Sequence, residues 1–205
     1  MAKVKLTKGE LKRQRDLLKQ YQRYLPTLQL KKQQLQMEIL HQVNLLEEKE
    51  LKEQKKKTAI ESWAGLLSEP GTGLKLWITP QKVIATTKNV AGVDVPIFER
   101  AEFAAAEYDL FIMPPWVDAG LEALQALVFL EEELVLVKKG IAILKHELRI
   151  TNQRVNLFEK VKIPQTKEAI RLIKIYIGDQ MVNAVGRSKI AKNKIERAIL
   201  AEVNV

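Results

Sequence analysis

From Leu11 onward, apolar side chains recur at alternating three- and four-residue steps: Leu18, Tyr21, Leu25, Leu28, Leu35, Ile39, Leu46, then Ile60, Trp63 and Leu67. That spacing draws one face of a long helix. Thr7 and Glu10 make a T-x-x-E capping box, and Leu6 with Leu11 a hydrophobic staple, so the helix should start there. Lys32 and Gln42 interrupt the row, and between Lys49 and Lys56 it becomes charged, so packing there should be thin. The run "SEPGTG", with Pro70 and two glycines, should end it. Some 60 residues of helix reach about 90 Å.

A second, cleaner row follows "MPPW", with Asp118 as candidate N-cap: Leu127, Leu130, Leu134, Val137, Ile141, Leu144, Leu148, Thr151, Val155 and Phe158. Heptad spacing sustained this long predicts a coiled coil. Pro164 then stands where a helix interior should tolerate none. Beyond it the row resumes at Ile170, Ile173 and Ile177, displaced by one position. One extra residue turns the row by about 100°, which nearly cancels the drift of a straight helix against a seven-residue repeat. That predicts weak net supercoiling.

Between the helices, "LKLWITPQKVIATTKNVAGVDVPIF" alternates and is rich in Val, Ile and Thr. It predicts one or two strands ending near Lys88, a turn over Asn89 to Gly92, and a return strand through Val95 to Phe98. Pro80 and Pro96 point to edge strands or breaks. "ERAEFAAAEYDLFIMPP" reads as a connector. The expected fold is mainly α: a long antiparallel two-helix coiled coil with a small β-hairpin head inserted. The divisions are 1–68 for the N-terminal helix, 69–117 for the head and connector, and 118–205 for the C-terminal helix. About fifty head residues are marginal alone and should lean on the coiled coil or a partner.

If Leu67 lies level with about residue 120, Glu131, Glu132 and Glu133 come near Lys55, Lys56 and Lys57. Pro26 then falls opposite the stretch around Pro164, as a matched pair of bends. About twenty C-terminal residues are left unpaired, ringed by Arg187, Lys189, Lys192, Lys194 and Arg197. A slim basic helix without packing is poorly stabilised in water and needs a socket.

Composition narrows the partners. The 205 residues carry a formal charge of +9, but acids are interleaved with bases, as in "NLLEEKELKEQKKKTAIE". This favours solvated helix faces and a basic surface for a protein partner over nucleic acid. Cysteine is absent, which excludes disulfides and Cys-based zinc sites. The first fifteen residues lack a signal-peptide core, and every apolar stretch is broken by charge, so a cytoplasmic protein without membrane insertion is expected. No phosphate loop, metal spacing or nucleophile–base pair occurs, so neither cofactor nor catalytic residue is expected. His41 and His146 read as surface or seam residues.

The run "TNQRVNLFEKVKIPQTKEAIRLIK" resembles a known family, the D subunits of the V/A-type rotary ATPases and ATP synthases. Arg154, Val155, Asn156, Leu157, Glu159, Ile163, Pro164 and Ile170 match its R-V-N and I-P pattern. "LQLKKQQLQMEI" is similar to a segment of its first helix, through Leu28, Lys31 or Lys32, and Leu35. "VDVPIF" is similar to its head strand. Pro26, Gln33 and Gln34 depart from the pattern.

The resemblance implies a non-catalytic axle of the central stalk, with both termini inside the alternating hexamer of catalytic and regulatory subunits. Its other end would engage the small F subunit of the stalk and the adaptor above the membrane rotor ring, on the cytoplasmic face. Rotation would couple ATP synthesis or hydrolysis to proton or sodium movement. Hexamer contacts are expected at Lys12, Arg13, Arg15, Arg187, Lys189, Lys192 and Lys194, and stalk contacts at Trp77, Val83 and Ile97. A nucleic-acid-binding helical hairpin and a coiled-coil tether are the rival readings.

Overall fold

In the computed structural model, residues 5–68, 74–106, 108 and 113–203 are described. The elements are α1 (Lys8–Glu61), a 3-10 turn (Ala64–Ser68), α2 (Lys75–Ile78), β1 (Pro80–Val90), β2 (Val93–Phe103) and α3 (Val117–Asn156). A π-helical turn (Leu157–Lys162) and α4 (Ile163–Val203) complete the chain. It is mainly helical, with an antiparallel hairpin between the N-terminal and C-terminal helices. It divides into two compact units, residues 30–152 and residues 1–29 with 153–205.

The start of α1 is as the sequence dictates: the Glu10 amide donates to the Thr7 hydroxyl at 3.2 Å. The α-helix ends at Glu61 and tightens into the 3-10 turn. The stop expected at Pro70, Gly71 and Gly73 lies outside the described residues. The first strand is shorter than its alternation suggests, because "KLWI" coils into α2. The return strand is longer and runs to Phe103. Asp118 sits in the first turn of α3, with Val117 the first helical residue.

In the unit of residues 30–152, α1 and α3 run antiparallel. Lys31 meets Glu147 at 3.0 Å, Lys49 meets Glu133 at 2.6 Å and Lys57 meets Glu131 at 3.0 Å, so rising numbers on one helix meet falling numbers on the other. The acid triplet thus lies beside the lysine run, where the apolar row is thin. The hairpin is laid lengthwise on this pair. At one end Phe98 packs edge-on against Phe129, centroids 4.6 Å apart. Farther along, Val95 joins Leu35 and Leu144 in a buried cluster, with Ile39, Leu148, Val90, Ala91 and Val93 packed around it.

The tip needs special backbone. Ala91 and Gly92 both have positive φ, 51° and 77°, as a two-residue hairpin turn of primed type requires. Asn89 holds the turn: its side-chain oxygen accepts from the Gly92 amide at 3.1 Å, and its amide donates to Asp94 at 2.6 Å. A left-handed alanine costs roughly 1–2 kcal/mol. Packing of Ala91 against the Leu35–Val95–Leu144 cluster opposes that cost.

In the unit of residues 1–29 and 153–205, Tyr21 packs on Phe158 with centroids 5.3 Å apart. Counting antiparallel from that pair, Pro26 is level with about residue 153 and Pro164 with about residue 15. The two prolines are therefore not opposite one another, which corrects the expected pair of bends. Each is accommodated separately. Pro26 lies inside an α1 that stays helical, beside a Thr27 hydroxyl bonded to the Tyr24 carbonyl at 2.8 Å. Pro164 follows directly on the π turn, where the Ile163 amide reaches back five residues to the Phe158 carbonyl. A π turn takes in one extra residue. That is the one-position slip of the apolar row, and the π turn lies as a bulge between α3 and α4 within one continuous helical run.

Candidate partner-binding surfaces

Both long rows are covered along most of their length. Leu134, Ile141, Leu144, Thr151, Val155, Thr166, Ile170 and Ile173 are buried, the positions that the 3-4 spacing and its slip select. From Gly178 to Arg197 every residue of α4 is exposed. The row nonetheless continues there, through Met181, Ala184, Ser188, Ala191 and Ile195. The exposed run from Gly178 to Arg197 is twenty residues long and begins a few residues beyond the point level with the start of α1, near residue 173.

The basic residues expected to contact the hexamer fall into two groups within this unit. Lys12, Arg13 and Arg15 are exposed on the first turns of α1, with Arg13 3.8 Å from Glu10. Arg187, Lys189, Lys192 and Lys194 are exposed on the uncovered stretch, with Lys192 3.7 Å from Glu196. By helix rise, roughly 25–30 Å of α4 separates the two groups. Each is a local basic collar rather than half of one patch.

The head residues are unalike. Val83 and Ile97 are exposed on the hairpin, 36% and 43% accessible. Trp77 is half-buried, stacked on Tyr108 with centroids 5.1 Å apart, and its carbonyl accepts from the Gln125 amide at 3.0 Å. Much of that side chain therefore serves the fold. Tyr108 in turn donates to Asp118, a bond that holds its phenol above the usual range. The motif residues also divide. Val155 is buried and Ile163 half-buried, whereas Arg154, Asn156 and Pro164 are exposed.

The ion pairs beside the helix seam are mostly solvated. Lys57 bridges Glu53 at 2.6 Å and Glu131 at 3.0 Å, and these bonds, Glu53 foremost, raise its ammonium above the ordinary lysine value. Exposed pairs of this kind contribute little stability. Among the described residues no group of His, Asp or Glu could hold a metal ion, and no helix is long and apolar enough to cross a membrane.

Two features escaped the sequence reading. Leu30, Met37, Leu40 and Leu51 are large apolar side chains exposed along α1, Met37 reaching 72% accessible. Their signal was available, since they fall between the seam positions. Gly140 is the second. A Cβ there would lie 2.8 Å from the Val95 side chain, so glycine lets the hairpin approach α3. An isolated glycine within a helical pattern often has such a packing reason.

A family model described as the ATP synthase D subunit matches residues 10–193. The chain belongs to the ATP synthase D-subunit family. It is 49% identical over 195 residues to the V-type ATP synthase D subunit of Borreliella burgdorferi, covering 95% of this chain and 96% of that protein. The D subunit of Chlamydia pneumoniae is 35% identical, covering 94% and 93% respectively. That of Chlamydia trachomatis serovar L2 is 31% identical, covering 96% and 98%. Membership fits the architecture: long N- and C-terminal helices, a hairpin inserted between them and exposed basic helix ends.

Proposed function

We propose that the chain is the central-stalk rotor of a V/A-type rotary ATPase or ATP synthase, a non-catalytic part that carries torque between the catalytic hexamer and the ion-translocating ring. It couples ATP synthesis or hydrolysis to proton or sodium transport. Its partners are the hexamer's catalytic and regulatory subunits, the small F subunit of the stalk and the adaptor above the ring. It sits peripherally on the cytoplasmic face, with neither membrane insertion nor nucleic acid bound.

One observation carries the reading. The apolar row that is buried at Ile170 and Ile173 runs on, uncovered, through Met181 and Ile195, inside a collar of Arg187, Lys189, Lys192 and Lys194. Such a helix gains little from its own packing and is stabilised by an enclosing surface. Lys12, Arg13 and Arg15 line the approach to the same socket, while Val83, Ile97 and the exposed edge of Trp77 face the stalk subunits.

The test is co-expression with the hexamer subunits of the same organism. The full chain should co-purify at less than one copy per catalytic subunit. Deleting residues 188–205 should lower coupled ATP turnover and ion movement together. Coupled activity that is unchanged by the deletion would overturn the assignment of the socket. A strongly salt-dependent affinity for duplex nucleic acid would instead favour the helical-hairpin reading.

A further inference from the structure

The π turn poses a question that torque transmission does not answer, and the answer does not depend on that function. Continuing the heptad steps of Val155 and Phe158 through an unbroken α-helix would select Lys162, Gln165, Ala169, Leu172 and Tyr176 as the inner row. The inner row is instead Thr166, Ile170 and Ile173, all buried, and the half-buried Ile177, one position later, because Leu157–Lys162 takes in the extra residue. Both rows are apolar beyond residue 168. Leu172 and Tyr176 are 45% and 40% accessible, large apolar side chains left outside the seam, whereas Ile173 is fully buried. Ala169 is buried beside the isoleucine row.

A helix with two adjacent apolar rows, preceded by a one-residue bulge, has two packings within reach. Packed seams are bistable rather than continuously deformable. We propose that the π turn at Leu157–Lys162 is a register switch, by which α4 exchanges between a frame burying Ile170, Ile173 and Ile177 and a frame burying Ala169, Leu172 and Tyr176. The exchange turns α4 by about 100° and shifts it by about 1.5 Å, the increments of one helical residue.

The surroundings set the balance. The turn is exposed apart from Phe158, whose ring is held by Tyr21, so the backbone that must rearrange lies in water while its anchor is fixed. Pro164 biases the switch. In a straight α-helix its ring would strike the carbonyl of Lys160, four residues earlier, and it has no amide to donate. The straight frame is therefore disfavoured. The buried Thr166 hydroxyl, bonded to the Lys162 carbonyl, secures the observed frame at the exit of the turn. When the frames exchange, the row that α4 presents to any partner on its outer side exchanges too.

The absence of cysteine makes the test direct. Leu172→Cys and Ile173→Cys are placed singly in the full chain, and their reaction with a thiol reagent is timed under native conditions. The cysteine at 172 should react fast and that at 173 slowly. Adding Pro164→Ala should protect position 172 and expose position 173, each several-fold. Deleting Val161 removes the surplus residue and puts the isoleucine row in phase without a π turn. Combined with Pro164→Ala, which removes the clash of the ring with a straight helix, the deletion should restore protection at position 173. Protection unaltered by Pro164→Ala in the undeleted chain, or both positions exposed together, would overturn the switch. Exposure of position 173 in the deletion variant that also carries Pro164→Ala would overturn the assignment of the two rows.

Discussion

The helix rows of residues 30–152 and the far part of α4 follow similar spacing but meet different fates. In the first region each helix faces the other and the hairpin covers both, so Leu35 and Leu144 are wholly enclosed beneath Val95. In the second, the row runs past the first residues of α1 and lies open, with Met181 and Ile195 more than half accessible. Apolar periodicity alone thus reports where a surface is meant to be covered, not what covers it. The cover is inside the chain in one case and, in the other, is not found among the described residues.

The largest contrast should come from truncating one residue of each region. Leu144→Ala should cost about 2–5 kcal/mol in denaturant unfolding, the range for emptying a packed core site. Ile195→Ala should leave the isolated chain within about 0.5 kcal/mol, as for an exposed position. On the proposed function, it should weaken association with the hexamer instead. A loss at Ile195 comparable to that at Leu144 would mean that the arm is already covered in the free chain.

A smaller effect tests the hairpin as the internal cover. Gly140→Ala gains helix propensity of up to about 1 kcal/mol, but its new methyl meets the buried Val95 side chain, and overpacking costs about 1–3 kcal/mol. Net destabilisation of about 1 kcal/mol is expected from those two ranges. Val95→Ala in the same chain should recover part of it, giving a non-additive double-mutant cycle. Strict additivity would place the hairpin off Gly140.

The smallest effect concerns the electrostatics of the packed part of α4. Arg171 donates to Glu168 at 2.6 and 2.9 Å, and these hydrogen bonds hold the Glu168 carboxyl below its ordinary value. A depressed acid contributes stability above its unfolded pKa and loses it as pH falls through the folded one. Glu168→Gln should therefore lower thermal stability slightly at neutral pH, and the difference from the parent should vanish in acid. A difference that persists in acid would indicate a packing role for Glu168. Fully exposed pairs carry little energy, so this contrast should lie near the limit of measurement.

Much of this was legible in the chain because it depends on neighbours in sequence. The T-x-x-E cap, the 3-4 rows and the turn around Ala91–Gly92 are local, and each residue's own chemistry demands its conformation. The one-position slip after Phe158 was legible as well, though not its form. Period counts residues and does not reveal that a π turn rather than gradual drift absorbs the extra one. The basic collars could be found as charge, but their separation along α4 depends on where α1 ends against it.

Amino-acid order by itself therefore determined the helices, their inner rows, the hairpin and the family, since backbone preference and side-chain period act within a few residues. Tertiary structure alone decided the antiparallel register that separates the prolines, the seat of the hairpin over Gly140, and the π turn as the form that the slip takes. Those choices compare the packing of whole surfaces that sequence distance keeps far apart, which a pattern acting within a few residues does not weigh.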